Sequence, residues 1–281
     1  YSIHKFKFFN FIMRFFILLS YDGSPYFGWQ KQPNKISVQQ VIEDALYTLL
    51  REKIEITGAG RTDTGVHAQK YYAHFDSNNN IIIKDPDFII YKLNAILPKS
   101  VQIINIFDVP SESHARFDAT SRTYKYYINT VKDPFASQYS YFYPYPLDIE
   151  SMNQACQTLI GERDFTSLAK LHADTKTNIC KVTTAKWEVG AFYSKENSEN
   201  DKTHLVFTIS ANRFLRNMVR ATVGTLLEIG RGKFPIEWLE TVLNEKNRSS
   251  AGNSVPSNAL FLNDIAYPYS HLLVRKKIDK L

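Results

Sequence analysis

Met13–Tyr21 reads MRFFILLSY, and the nature of this run decides the fold. It is the end of a longer apolar stretch, Phe8–Leu19 (FFNFIMRFFILL), that follows His4, Lys5 and Lys7. A membrane span needs about 20 consecutive apolar residues, and a secretory leader needs a small-x-small cleavage site. The stretch is only twelve residues long, Arg14 interrupts it, and no such site follows. A short run rich in Phe and Ile, closed by Tyr21-Asp22-Gly23, fits a buried strand instead. Residues 1–12 are then expected to be an extension ahead of Met13, and the protein to be cytoplasmic with no membrane attachment.

Outward from this strand the apolar period changes to that of a helix. Ser37–Leu50 carries Val38, Val41, Ile42, Ala45, Leu46 and Leu49 at three-to-four spacing. Ser37 and Gln40 open it with a capping-box signature. Ile54–Gly58 and Tyr71–Asp76 read as strands. Asp85–Pro86 opens a second helix with Ile90, Leu93 and Ile96 on one face, and Val101–Val109 reads as a strand. The second half repeats the order. Ser121–Val131 is a strand and Asp148–Ile160 a helix; Cys180–Val189 and His204–Ser210 are strands. Arg213–Ile229 is a long helix, Pro235–Leu243 a short one, and Leu260–Ala266 the last strand.

Each half is thus β-α-β-β-α-β, a ferredoxin-like arrangement. The expected fold class is α+β: two such halves, residues 13–112 and 113–270, with antiparallel sheets and helices on one face. The cleft between them is a natural place for a site. A basic tail, 271–281, carries Arg275, Lys276, Lys277 and Lys280. Ser194–Lys202 (SKENSENDK) reads as a hairpin tip, and Ser249–Asn258 as a loop leading to the last strand.

Composition narrows the function classes. Among 281 residues, 34 Lys and Arg against 28 Asp and Glu leave a net charge of +6, and 44% hydrophobic content excludes a disordered or collagen-like chain. Two cysteines, Cys156 and Cys180, cannot build a disulfide framework or a closed four-ligand zinc site unaided. Aromatic content is 14%, with 17 Tyr and 19 Phe. Positive charge for phosphates and aromatic faces for bases suit a nucleic-acid binder, and the same figures also describe a Phe-rich core beneath a solvated Lys surface.

The segment that carries chemistry is Thr57–Ala68, TGAGRTDTGVHA. It lacks the Gly-Lys-Ser/Thr of a phosphate loop, and no helical pattern opens after its glycines. It holds Asp63 between two threonines, with Gly60 and Gly65 on either side and Arg61 two positions before it. Glycines let a backbone approach a ligand closely. A carboxylate held near cations stays ionised and can serve as nucleophile or base. An Asx-type turn is the plain alternative.

GRTDTGVHA resembles the active-site loop of the tRNA pseudouridine synthase A family. Further blocks follow in that family's order: Tyr21–Gln32 (YDGSPYFGWQKQ), Ser37–Leu46 (SVQQVIEDAL), Leu93–Pro98 (LNAILP) and His114–Phe117 (HARF). Arg122–Tyr127 (RTYKYY), Asn212–Gly230 (NRFLRNMVRATVGTLLEIG) and Ala259–Leu262 (ALFL) complete the set. The resemblance covers about residues 13–268. It implies isomerisation of uridine to pseudouridine in the anticodon stem-loop of tRNA, at positions 38 to 40, by a homodimer that needs no cofactor and no metal.

By position, Asp63 resembles the family's catalytic aspartate; attack at C1′, attack at C6 and a glycal route all remain open. The resemblance gives Tyr124 the role of stacking on the base and assisting proton removal, and Arg220 that of pairing with the carboxylate. Leu260 resembles the residue that packs against the uracil. Strand alternation puts Tyr124 and Tyr126 on one face and Tyr127 on the other. On a helix beginning at Arg213, Arg216 and Arg220 flank the apolar stripe. Arg61 has two readings, steering Asp63 or displacing the target base, of which an RNA contact is favoured. Arg213, Arg216 and Arg231 are candidate phosphate contacts. His67, His74 and His114 have no ligand spacing. Two positions depart from the family pattern: Arg163 stands where histidine is common, and Ala259 where glycine is frequent. The rival readings are a non-catalytic RNA-binding protein and a pseudouridine synthase acting on another RNA.

Overall fold

Phe15, Ile17, Leu19 and Tyr21 alternate along β1 (Met13–Tyr21) and are all buried in one hydrophobic core. The computed structural model describes residues 12–170, 176–190, 203–269 and 273. The expected hairpin tip at 194–202, residues 1–11 of the expected extension and, apart from Leu273, the basic tail lie outside the described residues.

The first half continues with α1 (Val38–Leu50), β2 (Thr57–Gly58), β3 (His67–Ser77), α2 (Ile81–Lys84), α3 (Pro86–Ile96) and β4 (Val101–Val109). Ser37 caps α1, its Oγ accepting the Gln40 N–H at 3.3 Å. Asp85 caps α3 in the same way through the Phe88 N–H at 3.0 Å. The buried stripe of α3 is Ile89 and Leu93, and Ile96 is exposed.

The second half comprises β5 (Ser121–Asn129), β6 (Tyr141–Phe142), α4 (Ile149–Gln157), β7 (Gly161–Asp164), β8 (Ile179–Val189) and β9 (His204–Ala211). It ends with α5 (Met218–Gly230), α6 (Trp238–Glu245) and β10 (Leu260–Ala266). β7 is the short polar run GERD, to which no apolar period points. Its Arg163 grips both carboxylate oxygens of Glu240 on α6 at 3.0 Å.

The strands form one ten-stranded sheet in the order β4-β1-β3-β10-β5-β9-β8-β7, with β2 also paired to β3 and β6 to β5. The two sheets expected from sequence are therefore one. Their junction is a parallel pair, Phe261 with His67 and Leu262 with Ala68, where only antiparallel neighbours were expected. Leu260 and Leu262, two apart and so on one face of β10, belong to different cores. Leu260 packs with β5, β8, β9 and α4–α6, and Leu262 with β1, β3, β4, α1 and α3.

Two local features set the site. In the β1–β3 register Leu19 pairs with Tyr71 and Tyr21 with Ala68, so two steps on β1 span three on β3. This bulge reverses the alternation: Ala68 joins Tyr71 in the first core, and His67 packs on Phe261 at 4.5 Å. The second feature is the start of α5. The expected helix from Arg213 begins only at Met218, because Asn217 adopts a left-handed conformation (φ 68°) and its Nδ2 donates to Ser254 Oγ at 2.7 Å. Asparagine tolerates this conformation. Residues 212–217 are consequently a loop, so the shared helix flank expected for Arg213, Arg216 and Arg220 does not exist.

Candidate active site

The loop from Ala59 to Val66 leaves one core and enters the other: Ala59 packs in the first and Val66 in the second. Aromatic side chains fix its entry. Tyr71 packs tilted against Trp29 with ring centroids 4.1 Å apart, its hydroxyl donates to the Gly60 carbonyl, and Gly60 N–H donates back at 3.4 Å. Tyr21 Oη lies 2.9 Å from Thr62 Oγ1. Glycines let the segment after β1 press on the loop. A Cβ on Gly28 would stand 2.4 Å from the Thr62 carbonyl oxygen, and one on Gly23 2.0 Å from that of Val66.

This clamping presents the Asp63 carboxylate at the seam of the two cores. Its ion pair is with Arg216, Nε to Oδ1 at 3.3 Å. Arg220, expected as the partner, instead donates from Nε to the Val255 carbonyl at 2.7 Å. The reason is the late start of α5: the loop before Asn217 carries Arg216 to the carboxylate, while Arg220 lies in the first helical turn. Tyr124 is half-buried, packs against both cores and meets Phe214 edge-on at 5.0 Å. Among the described residues none hydrogen-bonds its hydroxyl. Burial and the negative charge of Asp63 push the Tyr124 phenol well above its ordinary value, against a smaller opposing effect of Arg122. It is therefore a neutral phenol at physiological pH. Leu262 pairs across from Tyr124, and Leu260 from Tyr126. Asp63, Arg216 and Tyr124 thus converge where the halves meet, and Leu260 lies on the strand paired with that of Tyr124.

A model describing tRNA pseudouridine synthases matches residues 17–118 and 155–268. The chain belongs to the tRNA pseudouridine synthase family. Among its relatives, proteins named tRNA pseudouridine synthase A come from Parabacteroides distasonis and Bacteroides fragilis. The first is 52% identical over 255 residues, 91% of this chain and 96% of the relative. The second is 50% identical over 257 residues, 92% of this chain and 97% of the relative. The namesake from Caldicellulosiruptor bescii is 38% identical over 253 residues, 89% and 98% of the two chains.

Within this synthase family member the remaining arginines are dispersed. Arg61 is exposed and donates from Nε to Gln30 Oε1 at 2.9 Å. It makes no ion pair with Asp63 among the described residues, so the steering role has no contact behind it. Arg213 lies in the loop before α5. Arg231 stands at the other end of that helix, about 16 Å along its axis from Arg220. There it lies 3.7 Å from the ring centroid of Tyr145, so it does not line the Asp63 site.

Sequence reasoning missed His67 and Arg122. His67 is buried below the loop; its Nδ1 accepts the Gly23 N–H at 3.1 Å and its Nε2 donates to the Asn258 carbonyl at 2.9 Å. It joins the clamp, the loop and the approach to Leu260, and burial holds it below its ordinary pKa. Both residues lie in quoted family blocks, but Arg122 is held by backbone carbonyls, and the one carboxylate at His67, Asp22 Oδ1 at 3.0 Å from Nδ1, lies 45 residues away in sequence.

Proposed function

We propose that this protein isomerises uridine to pseudouridine in the anticodon stem-loop of tRNA, at positions 38 to 40, with Asp63 as nucleophile. The observation that carries the reading is the Asp63 carboxylate held at the seam of the two cores, paired with Arg216 and beside Tyr124. The names of the relatives, tRNA pseudouridine synthase A, supply the substrate class.

The reaction breaks the N1–C1′ bond, turns the uracil and rejoins it through C5. No atom is gained or lost apart from the proton exchanged at C5, so side chains suffice. Asp63 acts on the sugar or the base, and Arg216 neutralises the carboxylate between turnovers. Tyr124 stacks on the uracil and, as a neutral phenol, takes up the C5 proton while passing its own hydroxyl proton to solvent, and N1, freed of C1′, gains a proton in exchange. Leu260 closes the apolar wall that keeps the detached base in place. Arg220 orders the Val255 strap behind Leu260. Arg61, Arg213 and Arg231 contact the RNA backbone or the vacated stack. We read the active species as a cytoplasmic homodimer that bridges one tRNA, with each chain divided into halves 13–112 and 113–270.

The test uses tRNA carrying tritium at uracil C5. Wild type is expected to release tritium, and Asp63→Asn to bind the same tRNA without release. Binding by wild type with no release would replace this reading with that of a non-catalytic RNA-binding protein. Release that persists after the uridines at positions 38 to 40 are changed to cytidine would assign another RNA site. Sedimentation at the mass of a single chain, with full activity, would overturn the dimer.

A further inference from the structure

Arg122 opens the run RTY, two residues before Tyr124, and makes no ion pair with a carboxylate among the described residues. Its guanidinium instead collects backbone carbonyls. Nη1 donates to Ala119 and Asn212, each at 2.8 Å, and Nη2 to Arg116 at 2.7 Å and Ala59 at 3.2 Å. The planar fork of arginine suits this, since its donors point in fixed directions toward separate acceptors. Burying a cation without a counter-charge is costly, and four carbonyl dipoles take the place of the carboxylate.

The acceptors belong to three separated segments. Arg116 and Ala119 belong to one turn. Ala59 begins the loop of Asp63, four residues before it; Asn212 begins the loop of Arg216, four residues before that. Arg122 itself belongs to the strand of Tyr124. One guanidinium therefore ties the backbones that carry Asp63, Arg216 and Tyr124.

We propose that Arg122 is a positioning residue for the isomerisation, fixing the aspartate loop and the arginine loop against the strand of Tyr124. The assignment rests on the functional reading above. Its charge also opposes the rise that burial and Asp63 impose on the Tyr124 phenol, which joins the tether to the environment of that hydroxyl. Phosphate binding is not its task, because its two Nη groups are turned to carbonyls inside the protein.

The test compares wild type with Arg122→Lys and Arg122→Ala in the full-length protein, by tritium release, tRNA affinity and thermal unfolding. Lysine keeps the charge but cannot span carbonyls on opposite sides. A misplacement near 1 Å costs about 10²-fold in rate, so kcat is expected to fall by about that factor in Arg122→Lys. tRNA affinity should stay within about twofold, since no phosphate contact is removed. In Arg122→Ala, added guanidinium ion should restore turnover and an equal concentration of ammonium should not. Wild-type kcat in Arg122→Lys, a parallel loss of affinity and rate, or unfolding of every variant would overturn the assignment. Absence of release by wild type would overturn the functional reading and this proposal together, whereas normal release by both wild type and Arg122→Lys would overturn this proposal alone.

Discussion

Arg216 Nε lies 3.3 Å from Asp63 Oδ1, and the pair is partly open to water, with side-chain exposures of 61% and 28%. Arg220, one turn further on, is committed to the Val255 carbonyl. Exposed ion pairs contribute about 0–1 kcal/mol to stability, whereas a buried carbonyl left without its donor costs about 1–3 kcal/mol. The two arginines should therefore separate in a mutational test. Arg216→Gln should lower kcat/KM while leaving the unfolding midpoint unchanged. Arg220→Gln should lower the midpoint as well. Tritium release and thermal unfolding of both variants check this, and a midpoint loss confined to Arg216→Gln would reverse the assignment.

Tyr124→Phe isolates the hydroxyl. Phenylalanine keeps the edge contact with Phe214, and the hydroxyl has no partner among the described residues to lose. Stability should stay within about 0.5 kcal/mol. The rate of tritium release should fall by about 10²–10⁴-fold, the usual range for a positioned proton-transfer group. A variant that turns over at the wild-type rate would remove Tyr124 from the chemistry.

How far the fold is legible depends on whether a feature is local. The runs that became β1, β4 and β10 show as short apolar runs, and the caps at Ser37 and Asp85 in their residue types. The parallel pair of Phe261 with His67 joins strands far apart in sequence, and no periodicity reports such a pairing. The bulge in β3 is hidden because Gln69 and Lys70 break the apolar pattern where the strand bends. In the site, the Asp63 loop is legible because its glycines flank a single carboxylate. The exchange of Arg220 for Arg216 is not. Leu215, Met218 and Val219 keep helical spacing across Asn217, so the left-handed break between loop and helix is masked.

Alkaline pH should unfold the protein through its buried tyrosines. Tyr21, Tyr71, Tyr126 and Tyr267 are all raised above their ordinary value, with burial as the main cause. Tyr126 and Tyr267 donate to the carbonyls of Pro256 and Ala115, at 2.9 and 2.6 Å, and a phenolate could not. A raised folded pKa gives stability that is complete below the unfolded value near 10 and declines as pH rises above it. Each tyrosine should contribute a loss of up to about 1.4 kcal/mol per pH unit there. Urea midpoints measured from about pH 8 to 11 should be flat and then fall steeply. Tyr126→Phe should shallow the fall, and a flat profile throughout would contradict the burial of these hydroxyls.

Gly28 and Gly60 frame a last comparison within the clamp. Gly28 has φ +89° and a Cβ there would meet the Thr62 carbonyl oxygen at 2.4 Å. Both the conformation and the contact oppose alanine, and the obstructing atom is backbone next to Asp63, which cannot swing aside. Left-handed strain alone costs about 1–3 kcal/mol. Gly60, in the loop itself, has nothing within 4 Å of a built Cβ. Gly28→Ala should therefore destabilise the protein by at least about 1–3 kcal/mol and reduce tritium release more than tRNA affinity, because Asp63 moves with Thr62. Gly60→Ala should fold with wild-type stability. Urea unfolding, tritium release and tRNA binding of the two variants together decide it. Equal stability would show that the segment from Asp22 to Trp29 does not hold the aspartate loop in place.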